Sequence, residues 1–118
     1  MRRLTVRREK AFAACFMTVK IYITSNAVYD ESNEVTIGGE KCKKLGELKN
    51  GEEKTFLISE GSAKVFAICD LATKNIWDQI SIPEGTEGIR ISGKSMFAPW
   101  IGNPFNFREQ ILREELLL

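Results

Sequence analysis

Met17, Val19, Ile21 and Ile23 alternate with Thr18, Lys20, Tyr22 and Thr24, so an extended chain here has one apolar side and one polar side. A period of two marks a half-buried β-strand, and this is its clearest instance in the sequence. Leu4 and Val6, set against Thr5 and Arg7, predict a first short strand with a basic outer face. Val65, Ala67 and Cys69 fall on one side of a later segment, and Phe66 and Ile68 on the other. Apolar residues on both faces place that strand in the middle of a sheet. Val35 to Ile37, Asn75 to Ile82, and a segment starting at Ile89 and Ile91 complete the predicted strands.

Turn residues punctuate these strands. Asn26 to Glu34 is polar without periodicity and reads as an exposed loop. Gly38-Gly39, Glu60-Gly61-Ser62, Pro83-Glu84-Gly85 and Ser92-Gly93 mark chain reversals. Asn50-Gly51 carries the signature of a two-residue type I′ hairpin. Such a hairpin would set Lys49 opposite Glu52, Glu47 opposite Lys54 and Leu45 opposite Phe56, a register in which charges and apolar groups both match. Short strands separated by turns at intervals of roughly 8 to 12 residues predict an all-β, two-layer antiparallel sandwich. No helical segments lie where parallel βαβ units would need them.

The last quarter changes character. Phe97, Trp100, Phe105 and Phe107 stand among Pro99, Gly102, Asn103 and Pro104, which predicts an irregular loop leading into a final strand. Beyond Phe107, the spacing of Glu109 and Arg113, with Ile111, Leu112, Glu115 and Leu116, suits a short amphipathic helix. The expected division is a sandwich over residues 1–107 and a helical tail over 108–118, with Leu116, Leu117 and Leu118 available for packing or self-association.

Composition narrows the chemistry. A chain of 118 residues needs one core, and no stretch approaches the roughly 20 apolar residues of a membrane-spanning helix. Net charge is +1, but Arg2, Arg3, Arg7, Arg8 and Lys10 crowd the first ten residues against Glu9 alone. Phe12-Ala13-Ala14-Cys15 resembles a lipoprotein cleavage box, yet only Ala11 to Ala14 separate Lys10 from Cys15. A secretory apolar core runs to roughly 7 to 15 residues, so a cytoplasmic protein is expected. As an arm for phosphates the basic end has no continuation in the acidic remainder, which makes nucleic-acid binding the lesser reading.

The sequence contains no histidine, which removes His-based acid–base catalysis, His-activated nucleophiles and His metal ligands. Cys15, Cys42 and Cys69 are odd in number and form no CxxC pair, against both a closed disulfide framework and a zinc site. Asp70 with Asp78, and Asp30 with Glu31 and Glu34, lack the spacing of a calcium loop. Lys41, Lys43, Lys44 and Lys49 near Cys42 could lower a thiol pKa and activate it; as ordinary edge charges they would instead discourage strand pairing. No catalytic residue, metal or cofactor is expected. Candidate partner-binding residues are Trp77, Phe97, Trp100, Asn103 and Phe105, because aromatic loops anchor interfaces, although large rings in a small sandwich more often close its core.

The run Lys44-Leu45-Gly46-Glu47-Leu48-Lys49-Asn50-Gly51-Glu52-Glu53-Lys54-Thr55-Phe56 leads to Glu60-Gly61 and a strand. Later come Ile82-Pro83-Glu84-Gly85-Thr86-Glu87, Ser92-Gly93-Lys94 and Gly102-Asn103-Pro104-Phe105-Asn106-Phe107. Together these resemble a group of small, uncharacterised bacterial β-rich proteins, in layout over roughly residues 3 to 107, and the first run is also similar to PEGA-like carrier domains. The resemblance implies an immunoglobulin-like sandwich and brings no catalytic residues. Trp77 lies after Cys15 and Cys69, so the Cys, Trp, Cys order of true immunoglobulin domains is missing. The expected function is a non-catalytic module that binds a protein, itself, or a small ligand through a sheet edge or the aromatic loop. The alternatives are an anionic partner at the basic N-terminal strand, or an enzyme using a reactive cysteine.

Overall fold

The computed structural model describes residues 1–10, 18–29, 33–69, 78–95 and the backbone of 105–114. Nine strands follow in order: β1 Arg2–Glu9, β2 Val19–Thr24, β3 Val35–Ile37, β4 Glu40–Leu48, β5 Glu53–Ile58, β6 Ala63–Cys69, β7 Asp78–Ile82, β8 Gly88–Ser95 and β9 Phe105–Glu114, with one 3₁₀ turn at Ser25–Ala27. They form a four-stranded sheet in the order β5-β1-β8-β9 and a five-stranded sheet in the order β3-β4-β2-β6-β7. The all-β expectation holds.

Alternation dictates the core. Leu4 and Val6 of β1, Val19, Ile21 and Ile23 of β2, Val65 and Ala67 of β6, and Ile89 and Ile91 of β8 belong to one buried cluster with Leu48, Ile58 and Ile82. Each large aliphatic side chain buried this way contributes about 2 kcal/mol. On the other face of the five-stranded sheet Ile37, Cys42 and Phe66 form a second cluster, joined by Tyr22 and Ile68. β6 is therefore apolar on both faces, and it lies between β2 and β7 as its composition requires.

Four expectations need correction. First, β1 and β8 run parallel, with Leu4 opposite Ile89 and Val6 opposite Ile91. A parallel pair needs a long connection, and no helix is required because strands supply it: the chain passes through the other sheet as β2 to β4, pairs with β1 as β5, and crosses the other sheet again as β6 and β7 before returning as β8.

Second, Asn50-Gly51 does not close a hairpin. The turn is tight, with the Glu52 N–H donating to the Lys49 carbonyl at 2.9 Å and Gly51 at a φ of 77°, but it carries the chain from one sheet to the other. The Arg8 N–H donates to the Glu52 carbonyl at 2.9 Å and so draws β5 alongside β1. The two-residue hairpin is instead at Gly38-Gly39, whose φ angles of 60° and 82° suit a type I′ turn between paired Ile37 and Glu40.

Third, residues 105–114 form a strand where the helix over 108–118 was expected, with Ile111 opposite Ile91 and Phe107 opposite Gly93. About three helical turns are marginal alone, whereas pairing with β8 satisfies the backbone directly. The expected division after Phe107 falls inside this strand; residues 115–118 lie outside the described residues.

Fourth, the basic face of β1 is only half basic outside. Arg2 and Arg8 share the inward side of Leu4 and Val6 and are 2% and 0% exposed, leaving Arg3 and Arg7 on the surface. Arg2 donates from Nη2 to the Pro83 carbonyl at 2.6 Å and the Gly61 carbonyl at 3.1 Å, and from Nε to the Ser59 carbonyl at 3.2 Å. Arg8 donates to the Leu48 carbonyl at 2.9 Å. A buried cation needs such partners, and these two arginines cap the ends of the aliphatic row.

Candidate functional site

β5 lies at the end of its sheet, and among the described residues its outer side has no neighbouring strand. Antiparallel partners alternate between pairs that exchange hydrogen bonds and pairs that do not. Because the Arg8 N–H bonds the Glu52 carbonyl, the β1–β5 register turns the backbone groups of Lys54, Phe56 and Ile58 toward β1. Those of Glu53, Thr55 and Leu57 face outward. Side chains alternate independently: Lys54, Phe56 and Ile58 lie on the inner face opposite Val6, Leu4 and Arg2, and Glu53, Thr55 and Leu57 on the outer face. On that outer face the Thr55 and Thr5 hydroxyls share a hydrogen bond at 2.9 Å, and Glu53 receives Arg90 Nη1 at 3.2 Å.

Beside this edge is a groove of about 260 Å³ lined by Met1, Val28, Tyr29, Lys44, Leu45, Phe56 and Leu57. Of the four exposed large apolar residues among those described, Tyr29 (87% exposed), Met1 (62%) and Leu57 (60%) all belong to it. Concentration of exposed apolar groups in one place marks an interaction site better than a scattered few.

Local irregularities build the groove. In β4 the pairing jumps from Ile21 with Gly46 to Tyr22 with Lys44, leaving Leu45 as the extra residue of a bulge. A bulge re-aims side chains, and here the consecutive residues Lys44 and Leu45 both line the groove. Gly46 leaves room for the Phe56 ring beside it, since a Cβ there would lie 3.1 Å from Phe56 Cε1 and the ring would have to shift. Val28 and Tyr29 follow the 3₁₀ turn, which is fastened to the end of β5 by the Ser59 N–H donating to the Ala27 carbonyl at 2.8 Å.

Charge at the groove comes from lysines. Lys44 Nζ is 2.6 Å from Glu47 Oε1, and Lys54 Nζ is 3.6 Å from Glu52 Oε1. These ion pairs replace the Glu47–Lys54 match that a hairpin would have made. Glu52 Oε1 also accepts the Lys49 N–H at 3.1 Å. That bond, aided by the Lys54 and Lys49 charges, holds the Glu52 carboxyl below the usual carboxylate range. Two other hollows are more polar. One of about 360 Å³ is bordered by Thr24, Asn26, Glu40 and Lys64, and one of about 180 Å³ adjoins Arg2, Glu84 and Glu87, where the guanidinium is already committed to three carbonyls.

Cys42 is buried in the second apolar cluster, with Ile37 and Phe66. Burial pushes its pKa up, and the carboxylates of Glu40 and Glu34 push it further, against a smaller opposing effect of the Ile37 backbone. Strand alternation turns Lys41 and Lys43 to the opposite face, so adjacency in sequence does not become proximity in charge. Trp77, Phe97, Trp100 and Asn103 lie outside the described residues, and Phe105 is placed only as the first residue of β9, opposite Ser95.

No protein family, no curated protein and no solved structure matches this chain. No helix among the described residues is long and apolar enough to cross a membrane. The groove was hidden from sequence reasoning by the expected β4–β5 hairpin, which would have closed the edge that is open. One signal was available: Cys42, Leu45 and Leu48 recur every third residue, a departure from strand alternation that the bulge explains.

Proposed function

We propose that the protein is a non-catalytic interaction module that receives an extended segment of a partner protein along the free edge of β5. The observation that carries this reading is the coincidence of outward backbone groups at Glu53, Thr55 and Leu57 with the apolar groove beside them. Strand addition draws affinity from main-chain hydrogen bonds and selectivity from recesses for alternate side chains, and this edge has both. The same reading takes the stacked sheets as an immunoglobulin-like sandwich of the small bacterial β-rich kind, acting in the cytoplasm. Its support is the single aliphatic core between the four-stranded and five-stranded sheets.

The other readings have less behind them. An anionic partner at the N-terminal strand would meet Arg3, Arg7 and Lys10, with Arg2 and Arg8 held inside. A cysteine enzyme would have to work with a Cys42 thiol that is harder to ionise than usual.

Proline substitution at Thr55 tests the edge, because it removes an outward N–H while leaving the bonds to β1 in place. A protein captured from native extract by the wild type should be lost with Thr55→Pro and with Leu57→Pro, both folded by circular dichroism. Equal capture by all three would reject the edge as the contact.

A further inference from the structure

We propose that Asn50 is a site of spontaneous deamidation, and that the isoaspartate it yields works against Arg8, which holds the chain on both sides of the β4–β5 turn. This goes beyond the edge reading and does not depend on it.

The reactive pair comes with the turn. Residues 49–52 make a tight crossing between the sheets, closed by the Glu52 N–H on the Lys49 carbonyl at 2.9 Å. Gly51 stands there at a φ of 77°, a backbone that glycine adopts at little cost. The same missing Cβ lets the Gly51 nitrogen approach the side-chain carbonyl of the asparagine before it, a chemically labile residue type. The bond that closes the turn is made by Glu52, so it does not occupy that nitrogen. Gly51 is exposed, and water reaches the site. Elsewhere in the sequence Asn26, Asn33, Asn75 and Asn106 are followed by Ala27, Glu34, Ile76 and Phe107, whose side chains hinder the approach, and Asn103 by Pro104, which has no N–H. Asn26 is also held by its Nδ2, which donates to the Ser62 carbonyl at 3.1 Å.

The step balances with water alone. The Gly51 amide nitrogen loses its proton and bonds to Asn50 Cγ, the Cγ–Nδ2 bond breaks, and the proton leaves with the amide nitrogen as ammonia. Water then opens the cyclic imide at one of its two carbonyls. Opening at the side-chain carbonyl leaves aspartate. Opening at the backbone carbonyl leaves isoaspartate, in which the main chain runs through Cβ and is longer by one methylene.

Arg8 makes the location matter. Its backbone N–H donates to the Glu52 carbonyl at 2.9 Å and its Nη1 to the Leu48 carbonyl, also at 2.9 Å. One buried residue of β1 therefore fastens the last residue of β4 and the residue leading into β5. A turn lengthened between two fixed points has to loosen its own closing bond or the rung from Arg8 to Glu52.

Incubating the full chain at neutral pH, folded and unfolded in urea, and mapping its peptides by mass spectrometry tests the site. Isoaspartate and aspartate should accumulate at position 50 of the folded chain, at no other asparagine, and not in Asn50→Gln. In the purified isoaspartyl form the Arg8 and Glu52 amides should exchange about fivefold faster, as for the loss of one hydrogen bond. Freshly prepared Asn50→Asp, which has the added charge on an ordinary backbone, should leave both amides unchanged. An Asn50 that stays intact in the folded chain while the unfolded chain converts overturns the site. Unchanged Arg8 and Glu52 amides in the isoaspartyl form, or equal acceleration in Asn50→Asp, overturn the role given to Arg8.

Discussion

Gly46 of β4 and Phe56 of β5 belong to different sheets, yet a methyl group on Gly46 would lie 3.1 Å from Phe56 Cε1 and 3.2 Å from Cζ. This contact sets the inner wall of the groove beside the open edge, because the ring closes over β4 only where β4 has no side chain.

Gly46→Ala should therefore cost about 1 kcal/mol through overpacking and displace Phe56. Gly39→Ala is its counterpart. Nothing lies within 4 Å of a Cβ there, but φ is +82°, so the cost, again about 1 kcal/mol, is backbone strain alone. Chemical denaturation should show similar losses, while only Gly46→Ala shifts the ring resonances of Phe56. A shift of that ring in both variants would contradict the packing described.

Arg2→Met should destabilise the fold by about 3 kcal/mol, because it removes the buried charged donor that the carbonyls of Ser59, Gly61 and Pro83 share. Arg3→Met, on the exposed side of the same strand, should change stability by less than about 0.5 kcal/mol. Denaturation midpoints of the two variants decide the matter, and equal midpoints would mean that Arg2 does not hold the 59–61 and 83 turns together.

How legible was this in the sequence? Strands with clean alternation, such as Val19 to Ile23, and the two-faced strand of Val65 to Ile68 were readable because burial acts locally with a period of two. The inward course of Arg2 and Arg8 was not, since their partners are carbonyls far along the chain, in turns for Arg2 and at the end of β4 for Arg8. Asn50-Gly51 encodes a tight turn equally well within a sheet or between sheets, and the choice was made by β1, whose Arg8 N–H claims Glu52. The groove gathers Val28, Leu45 and Phe56, which become neighbours only after the strands are assigned to sheets. The partner-binding candidates Trp77, Phe97, Trp100 and Asn103 fall outside the described residues, so the groove stands beside that expectation without replacing it.

Glu52 gives the fold an acid sensitivity. Its carboxyl pKa is lower in the folded chain than in the unfolded one. Its contribution is therefore complete above the ordinary carboxylate range and disappears as pH falls through the folded value. Glu52→Gln should flatten the decline in denaturation midpoint across that acidic window and leave its dependence near neutrality unchanged. A wild-type slope retained in full by Glu52→Gln would place the titration elsewhere.

Cys42 should behave in the opposite sense. With its thiol pKa raised, the neutral form is favoured on folding, so its contribution persists below the ordinary thiol pKa and is lost as pH rises through the folded value. Alkylation at neutral pH, followed by mass spectrometry of the Cys42 fragment, should be slower than for a thiol in a short peptide. Faster labelling would restore the activated-cysteine reading.

Residue-resolved amide hydrogen exchange along β5 tests most directly whether an open strand edge receives a partner. In the free protein the Thr55 and Leu57 amides should exchange much faster than those of Phe56 and Ile58, and a protein captured from native extract should slow Thr55 and Leu57 selectively. Uniform protection along β5 before any partner is added, or no slowing at those two amides after it, would contradict an open, partner-receiving edge.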